Sequence, residues 1–124
     1  MSKLKVLYVD DDPDIREIAT MSLELDPDIA VRSESSGREA LVTAQDWLPD
    51  AILLDVMMPE MDGPTTFRHL RQYPATNSIP VIFITARAQS HEVTGYIAMG
   101  AVGVITKPFD PMTLAAAVRG QLAP

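Results

Sequence analysis

Three carboxylates, a hydroxyl and an ammonium stand where short apolar runs stop. Asp10 and Asp11 follow Leu4 to Val9, Asp55 follows Ile52 to Leu54, Thr85 follows Pro80 to Ile84, and Lys107 follows Val102 to Thr106. Brought to one place, three carboxylates repel and cannot all ionise cheaply without a cation. A hard divalent ion with oxygen ligands answers that need. Mg²⁺, which keeps water and often completes its shell with phosphate oxygens, suits a small open acidic cleft. With a Lys as point-charge partner for an anion and a Thr hydroxyl as donor, such a site could move a phosphoryl group by positioning and charge neutralisation. One carboxylate would be the nucleophile, through the acyl-phosphate route open to Asp. Each residue alone has a plainer reading: Asp10 and Asp11 as helix-start residues, Asp55 as a turn cap, Thr85 as a strand end, Lys107 as a solvated charge. Only their co-location separates the readings.

Co-location needs a parallel sheet, and the segment around Asp55 is the first sign of one. Ile52-Leu53-Leu54 is continuously apolar and ends in Pro59, Asp62 and Gly63, which fits a strand covered on both faces, as parallel strands flanked by helices are. Ligand sites in such sheets lie at the carboxyl ends of the strands. Asp12-Pro13 is a helix start, followed by Ile15, Ile18, Ser22 and Leu25 at helical spacing with Met21 and Leu23 beside them, until Asp26-Pro27-Asp28. Ile29 to Glu34 reads as a strand. Ser35-Ser36-Gly37 then opens a second helix with Ala40, Leu41, Ala44, Trp47 and Leu48 on one face.

Asp62-Gly63-Pro64 opens a third helix through Phe67, Leu70 and Arg71, and a fourth runs from about His91 to Met99, closed by Gly100. Asp110-Pro111 repeats the start signal for a last helix to about Leu122. On that helix Leu114, Ala117, Val118 and Gln121 form a stripe expected to pack on the sheet, and Met112, Ala115, Ala116 and Arg119 one expected to face out. Five strands alternating with five helices predict a three-layer, doubly wound α/β domain: one domain over residues 1–124, with no output domain attached.

Composition bounds the remaining possibilities. A chain of 124 residues can bury roughly two thirds of its unfolded surface, so it needs no crosslink or structural metal. It has no Cys, no secretory apolar segment behind Met1-Ser2-Lys3, and no apolar run near the ~20 residues of a membrane span. A cytoplasmic, soluble, monomeric protein without membrane contact is the expectation. The net charge of −7 argues against contact with a phosphate backbone, so direct DNA binding is not expected. His69 and His91 lack a second ligand at useful spacing and read as surface residues, Arg68 and Arg71 as a solvated helix face, and Trp47 and the seven Met residues as packing positions.

Four separated motifs now coincide. Val9-Asp10-Asp11-Asp12-Pro13, Leu54-Asp55-Val56-Met57-Met58-Pro59-Glu60-Met61-Asp62-Gly63, Ile84-Thr85-Ala86 and Thr106-Lys107-Pro108-Phe109 closely resemble the response-regulator receiver domains of two-component signalling, which have the flavodoxin-like fold of the chemotaxis regulators. The resemblance spans essentially the whole chain, in order. It implies that Asp55 is the phosphoacceptor, taking a phosphoryl group from a phosphohistidine on a sensor histidine kinase or a histidine phosphotransfer protein. It implies Mg²⁺ held directly by Asp11, Asp55 and the main-chain carbonyl of Met57, with Asp10 acting through water. Thr85 would hydrogen-bond the phosphoryl oxygen, Lys107 would pair with it, and the Lys107-Pro108 bond would be cis.

Departures from the family pattern carry their own expectations. Many receivers have an aromatic residue on strand five that turns inward when the Thr moves, where this chain has Val104. The positions two beyond Asp55 and Thr85, which in the family tune phosphoryl lifetime, are Met57 and Arg87; an apolar thioether beside the acyl phosphate predicts slow self-dephosphorylation. The signal would leave by contact with a downstream protein. The alternative is a constitutive receiver-fold binding module, or a phosphate sink, without an allosteric switch. Two other readings fare worse: an enzyme of the dehalogenase-type phosphatase class places Thr or Val where this chain has Asp14, and a nucleotide-binding flavodoxin-like protein needs a Gly-rich phosphate loop after the first strand, where this loop is acidic.

Overall fold

The computed structural model describes residues 3–123. Elements alternate as β1 (Leu4–Val9), α1 (Pro13–Glu24), β2 (Ile29–Glu34), α2 (Gly37–Trp47), β3 (Ala51–Asp55), α3 (Gly63–Gln72), β4 (Val81–Thr85), α4 (Ser90–Met99), β5 (Gly103–Thr106) and α5 (Leu114–Leu122). The strands form one parallel sheet in the order β2-β1-β3-β4-β5. This is the five-stranded, doubly wound, flavodoxin-like fold expected from the sequence.

Strand alternation divides the core in two. Leu7, Val9, Ile52, Leu54, Val81 and Phe83 face α2, α3 and α4, where Ala40, Ala44, Phe67, Leu70 and the half-buried Tyr96 and Met99 cover them. Phe83 lies between Phe67 and Tyr96, with ring centroids 5.7 and 4.9 Å away and tilted. Such pairs add about 0.5–1.5 kcal/mol each beyond area burial. Residues of opposite parity, Val6, Tyr8, Leu53, Ile82, Ile84 and Ile105, face α1 and α5 through Ala19, Leu23, Leu114 and Val118. Both faces of β3 and β4 are fully buried, which is why these runs show no polar alternation.

Local chemistry starts the helices close to where the sequence puts them. The Asp12 carboxylate accepts from the N–H groups of Asp14 and Ile15 at 2.9 and 3.3 Å, Ser36 from Glu39 at 3.1 Å, and Asp62 from Thr65 at 2.9 Å. Gly100 ends α4 at φ 117°, a left-handed conformation that side chains resist.

Several expectations are corrected. On α1 the buried residues are Ala19, Ser22 and Leu23, while Ile18, Met21 and Leu25 are exposed: the face is rotated from the one the large apolar residues mark. Leu48 lies outside the stripe of α2 as a left-handed cap at φ 53° and is half exposed. Asp110-Pro111 opens a turn, with the Met112 N–H on Asp110 Oδ1 at 2.9 Å, and α5 begins only at Leu114. On α5, Ala117 is exposed and Ala115 packs inward. Arg71 is no solvated charge: it stacks 4.4 Å from the Phe67 ring and donates to the Thr76 carbonyl at 3.3 Å, and burial lowers its pKa. Met58 and Met99 pack into the core but Met21, Met57 and Met112 are exposed, and Met1 lies outside the described residues. Trp47 is half-buried against the core, with the Lys5 and Arg32 cations over its ring.

Candidate functional site

Ladder hydrogen bonds that outlast the strands set the site residues at the carboxyl edge. The Asp10 N–H donates to the Glu34 carbonyl at 3.1 Å, the Val56 N–H to Ile84 at 3.0 Å, and the Lys107 N–H to Thr85 at 2.9 Å. The first residues past β1, β3 and β5 are therefore held in line with the sheet. Asp10, Asp55, Thr85 and Lys107, with Asp11, Asp12, Ile15, Met57 and Ala86, line one cleft of about 270 Å³. Every residue singled out at a strand end in the sequence reaches it. The Lys107-Pro108 bond is cis, as expected. His69 lies on α3 and His91 on α4, and neither lines the cleft.

Asp10 is fully buried, Asp55 is 5% exposed, and Asp11 is exposed. One carboxylate oxygen from each lies within 4.8 Å of the others. Lys107 Nζ bridges the two buried carboxylates, 2.8 Å from Asp10 Oδ2 and 3.2 Å from Asp55 Oδ1. Burial, and then the Asp10 charge, push the Asp55 carboxyl up to about 6 against the pull of Lys107. Burial alone would lower the Lys107 ammonium, but hydrogen bonds and charge from Asp10 and Asp55 outweigh it and hold that group above its ordinary value. Three carboxylates against one ammonium leave a surplus of negative charge on a set of oxygen donors with one exposed member. The donor set thus fits a hard divalent cation, with Asp10, Asp11 and Asp55 as the side chains able to hold it.

The other two positions have distinct surroundings. Thr85 is 3% exposed, and its Oγ1 accepts the Arg87 N–H at 3.0 Å, which leaves its proton free to donate elsewhere. Met57 is 75% exposed at the rim. Gly63 begins α3 directly behind Asp55: a Cβ there would lie 2.4 Å from the Asp55 carbonyl oxygen. The glycine lets α3 start hard against the strand that carries the carboxylate.

Two contacts were not foreseen from sequence. The Tyr8 hydroxyl donates to Asp10 Oδ2 at 3.0 Å, and the Arg16 guanidinium to the Asp10 carbonyl at 2.8 Å. The period-two spacing of Tyr8 and Asp10 was the available signal for the first. At position 104, Val packs its side chain against the α2–α4 face while its carbonyl accepts from Gln121 Nε2 of α5 at 2.9 Å.

Comparison with known proteins bears on the family and the fold. The response regulator Rre1 of Synechocystis is 37% identical over 121 residues, covering 97% of this chain and 52% of its own. The transcriptional regulatory protein CseB of Streptomyces coelicolor is 39% identical over 117 residues, covering 94% and 48%. The chain therefore spans about half the length of these curated relatives. Among solved structures, the chemotaxis protein CheY4 of Vibrio cholerae superposes with a TM-score of 0.89 at 33% identity over 98% of this chain and all of that one. The sequence pattern of the response regulator receiver domain matches residues 6–119, and the chain belongs to that family.

Proposed function

We propose that this chain is a phosphoacceptor of a two-component system or phosphorelay, and that Asp55 takes the phosphoryl group from a phosphohistidine. The observation that supports it most is the ammonium of Lys107 held between Asp10 and Asp55 at the mouth of an acidic cleft. An oxygen of the Asp55 carboxylate attacks phosphorus and the P–N bond breaks. The imidazole leaves with the bonding pair and takes a proton from solvent. Lys107 swings its ammonium from Asp55 toward the phosphoryl oxygens, and the Thr85 hydroxyl donates to one of them. Mg²⁺ held by Asp11, Asp55 and the Met57 carbonyl, with Asp10 acting through water, would offset the charge that a dianion adds to three carboxylates.

The product is a signal carried by contact with another protein, and the −7 net charge speaks against this domain itself gripping a nucleic-acid backbone. Val104 favours a second reading. With no ring at that position, phosphorylation has no aromatic rotamer to switch, and the domain could serve as a phosphate shuttle or sink. Amide shifts measured with and without a beryllofluoride phosphoryl mimic separate the two: responses across residues 87–105 support an adaptor, and responses confined to the cleft support a shuttle. The reading common to both is tested by incubation with a small phosphoramidate. One phosphoryl group per chain should appear with Mg²⁺ and none with chelator, and metal-independent uptake would refute it.

A further inference from the structure

Tyr8 carries the site's least expected polar atom. The residue lies at 0% accessibility in the apolar layer under α1 and α5. A Phe would fill that layer equally well, and a buried phenol demands a partner for its hydroxyl. Its partner is Asp10 Oδ2, at 3.0 Å. Among the described residues the Asp10 carboxylate has three donors: Tyr8 and Lys107 Nζ on Oδ2, the latter at 2.8 Å, and the Asp12 N–H on Oδ1 at 3.0 Å. Of the two on Oδ2, Lys107 is shared with Asp55 at 3.2 Å, and in the phosphoacceptor reading it turns toward the arriving phosphoryl group. The phenol cannot follow, because its ring is packed within the core.

We propose that Tyr8 is a positioning residue of the phosphoryl-transfer site, whose hydroxyl fixes Asp10 Oδ2 independently of Lys107 and so holds that carboxylate in the orientation its divalent cation requires. This rests on the phosphoacceptor reading of Asp55. Outer partners that orient a metal-binding side chain typically contribute 10- to 100-fold in affinity.

The test is Tyr8→Phe, which keeps the ring, with Tyr8→Leu as a second variant lacking the hydroxyl. Two quantities are read, both starting from the metal-free, unphosphorylated protein: Mg²⁺ affinity by titration calorimetry, and the backbone amide resonance of Asp12, which reports on the Asp10 oxygen it donates to. The expected result is roughly tenfold weaker Mg²⁺ binding together with a displaced Asp12 resonance. Unchanged affinity in folded variants overturns the proposal, and so does weaker binding with the Asp12 resonance unmoved, since Tyr8 would then not act through Asp10. Failure of the wild-type protein to bind Mg²⁺ would remove the phosphoacceptor reading as well, whereas wild-type binding matched by the variants removes this proposal alone.

Discussion

Replacing Asp55 by Asn should stabilise the metal-free protein at neutral pH, even though it removes one partner of an ion pair. Burial and the Asp10 charge push the Asp55 carboxyl up to about 6 from its ordinary 3.8. A carboxyl raised in the folded state binds its proton more tightly there than in the unfolded chain. Its contribution is therefore intact below about pH 4 and is lost as pH rises through 6. The difference corresponds to about 3 kcal/mol at most. Water reaches the cleft beside Asp11, and Lys107 loses one contact in the variant while keeping Asp10 at 2.8 Å, so the expected net gain is roughly 1–2 kcal/mol. Urea unfolding in chelator, run for both proteins from pH 4 to 8, should show two curves that meet near pH 4, separate between about pH 4 and 6, and run parallel above that. Equal stability at pH 7.5, or a difference that does not vary with pH, would refute the electrostatic account of the site.

Other substitutions probe separate parts of the argument. Asp11 is exposed, so Asp11→Ala should change metal-free stability by less than about 0.5 kcal/mol and yet abolish the rise in melting temperature expected of the wild type in Mg²⁺; retention of that rise would remove Asp11 from the metal site. Gly63→Ala sets a methyl 2.4 Å from the Asp55 carbonyl oxygen, and should cost about 2 kcal/mol in urea unfolding and slow labelling, while a neutral result would show that the β3–α3 connection yields easily. Met57 lines the cleft at its rim, and Arg87, whose side chain is 83% exposed, follows the lining residues Thr85 and Ala86; Met57→Asn or Arg87→Glu should shorten the acyl-phosphate half-life by admitting or orienting water. Unaltered decay in both would place the barrier to hydrolysis elsewhere.

The buried strands and the cleft were legible in the sequence because a parallel sheet writes its strands as unbroken apolar runs and delivers the residues just past them to one edge. Ile52 to Leu54 and Val81 to Ile84 are completely buried, in keeping with their unbroken apolar character. Helix faces were harder. On α1 the weight of Ile18 and Leu25 hid the fact that Ala19, with little hydropathy of its own, packs on the sheet beside Leu23. Asp-Pro starts turns as readily as helices, which is why Asp110 opens a turn and Asp12 a helix. A strand aromatic such as Tyr8 reads as core, and its ring is core; only its hydroxyl reaches the site, on Asp10 Oδ2. No spacing rule shows that one Lys107 ammonium reaches both Asp10 and Asp55, since that contact joins strands distant in the chain.

The central claim, that Asp55 is the phosphoacceptor, is tested most directly by locating the phosphoryl group. The protein is labelled with a small phosphoramidate in Mg²⁺, the acyl phosphate is reduced with borohydride, and the peptides are mapped by mass. The account predicts that the reduced residue is Asp55 alone, and that Asp55→Asn gives no product. Reduction at Asp10 or Asp11 in the wild type, or labelling of the Asp55→Asn protein at the same stoichiometry, would contradict it.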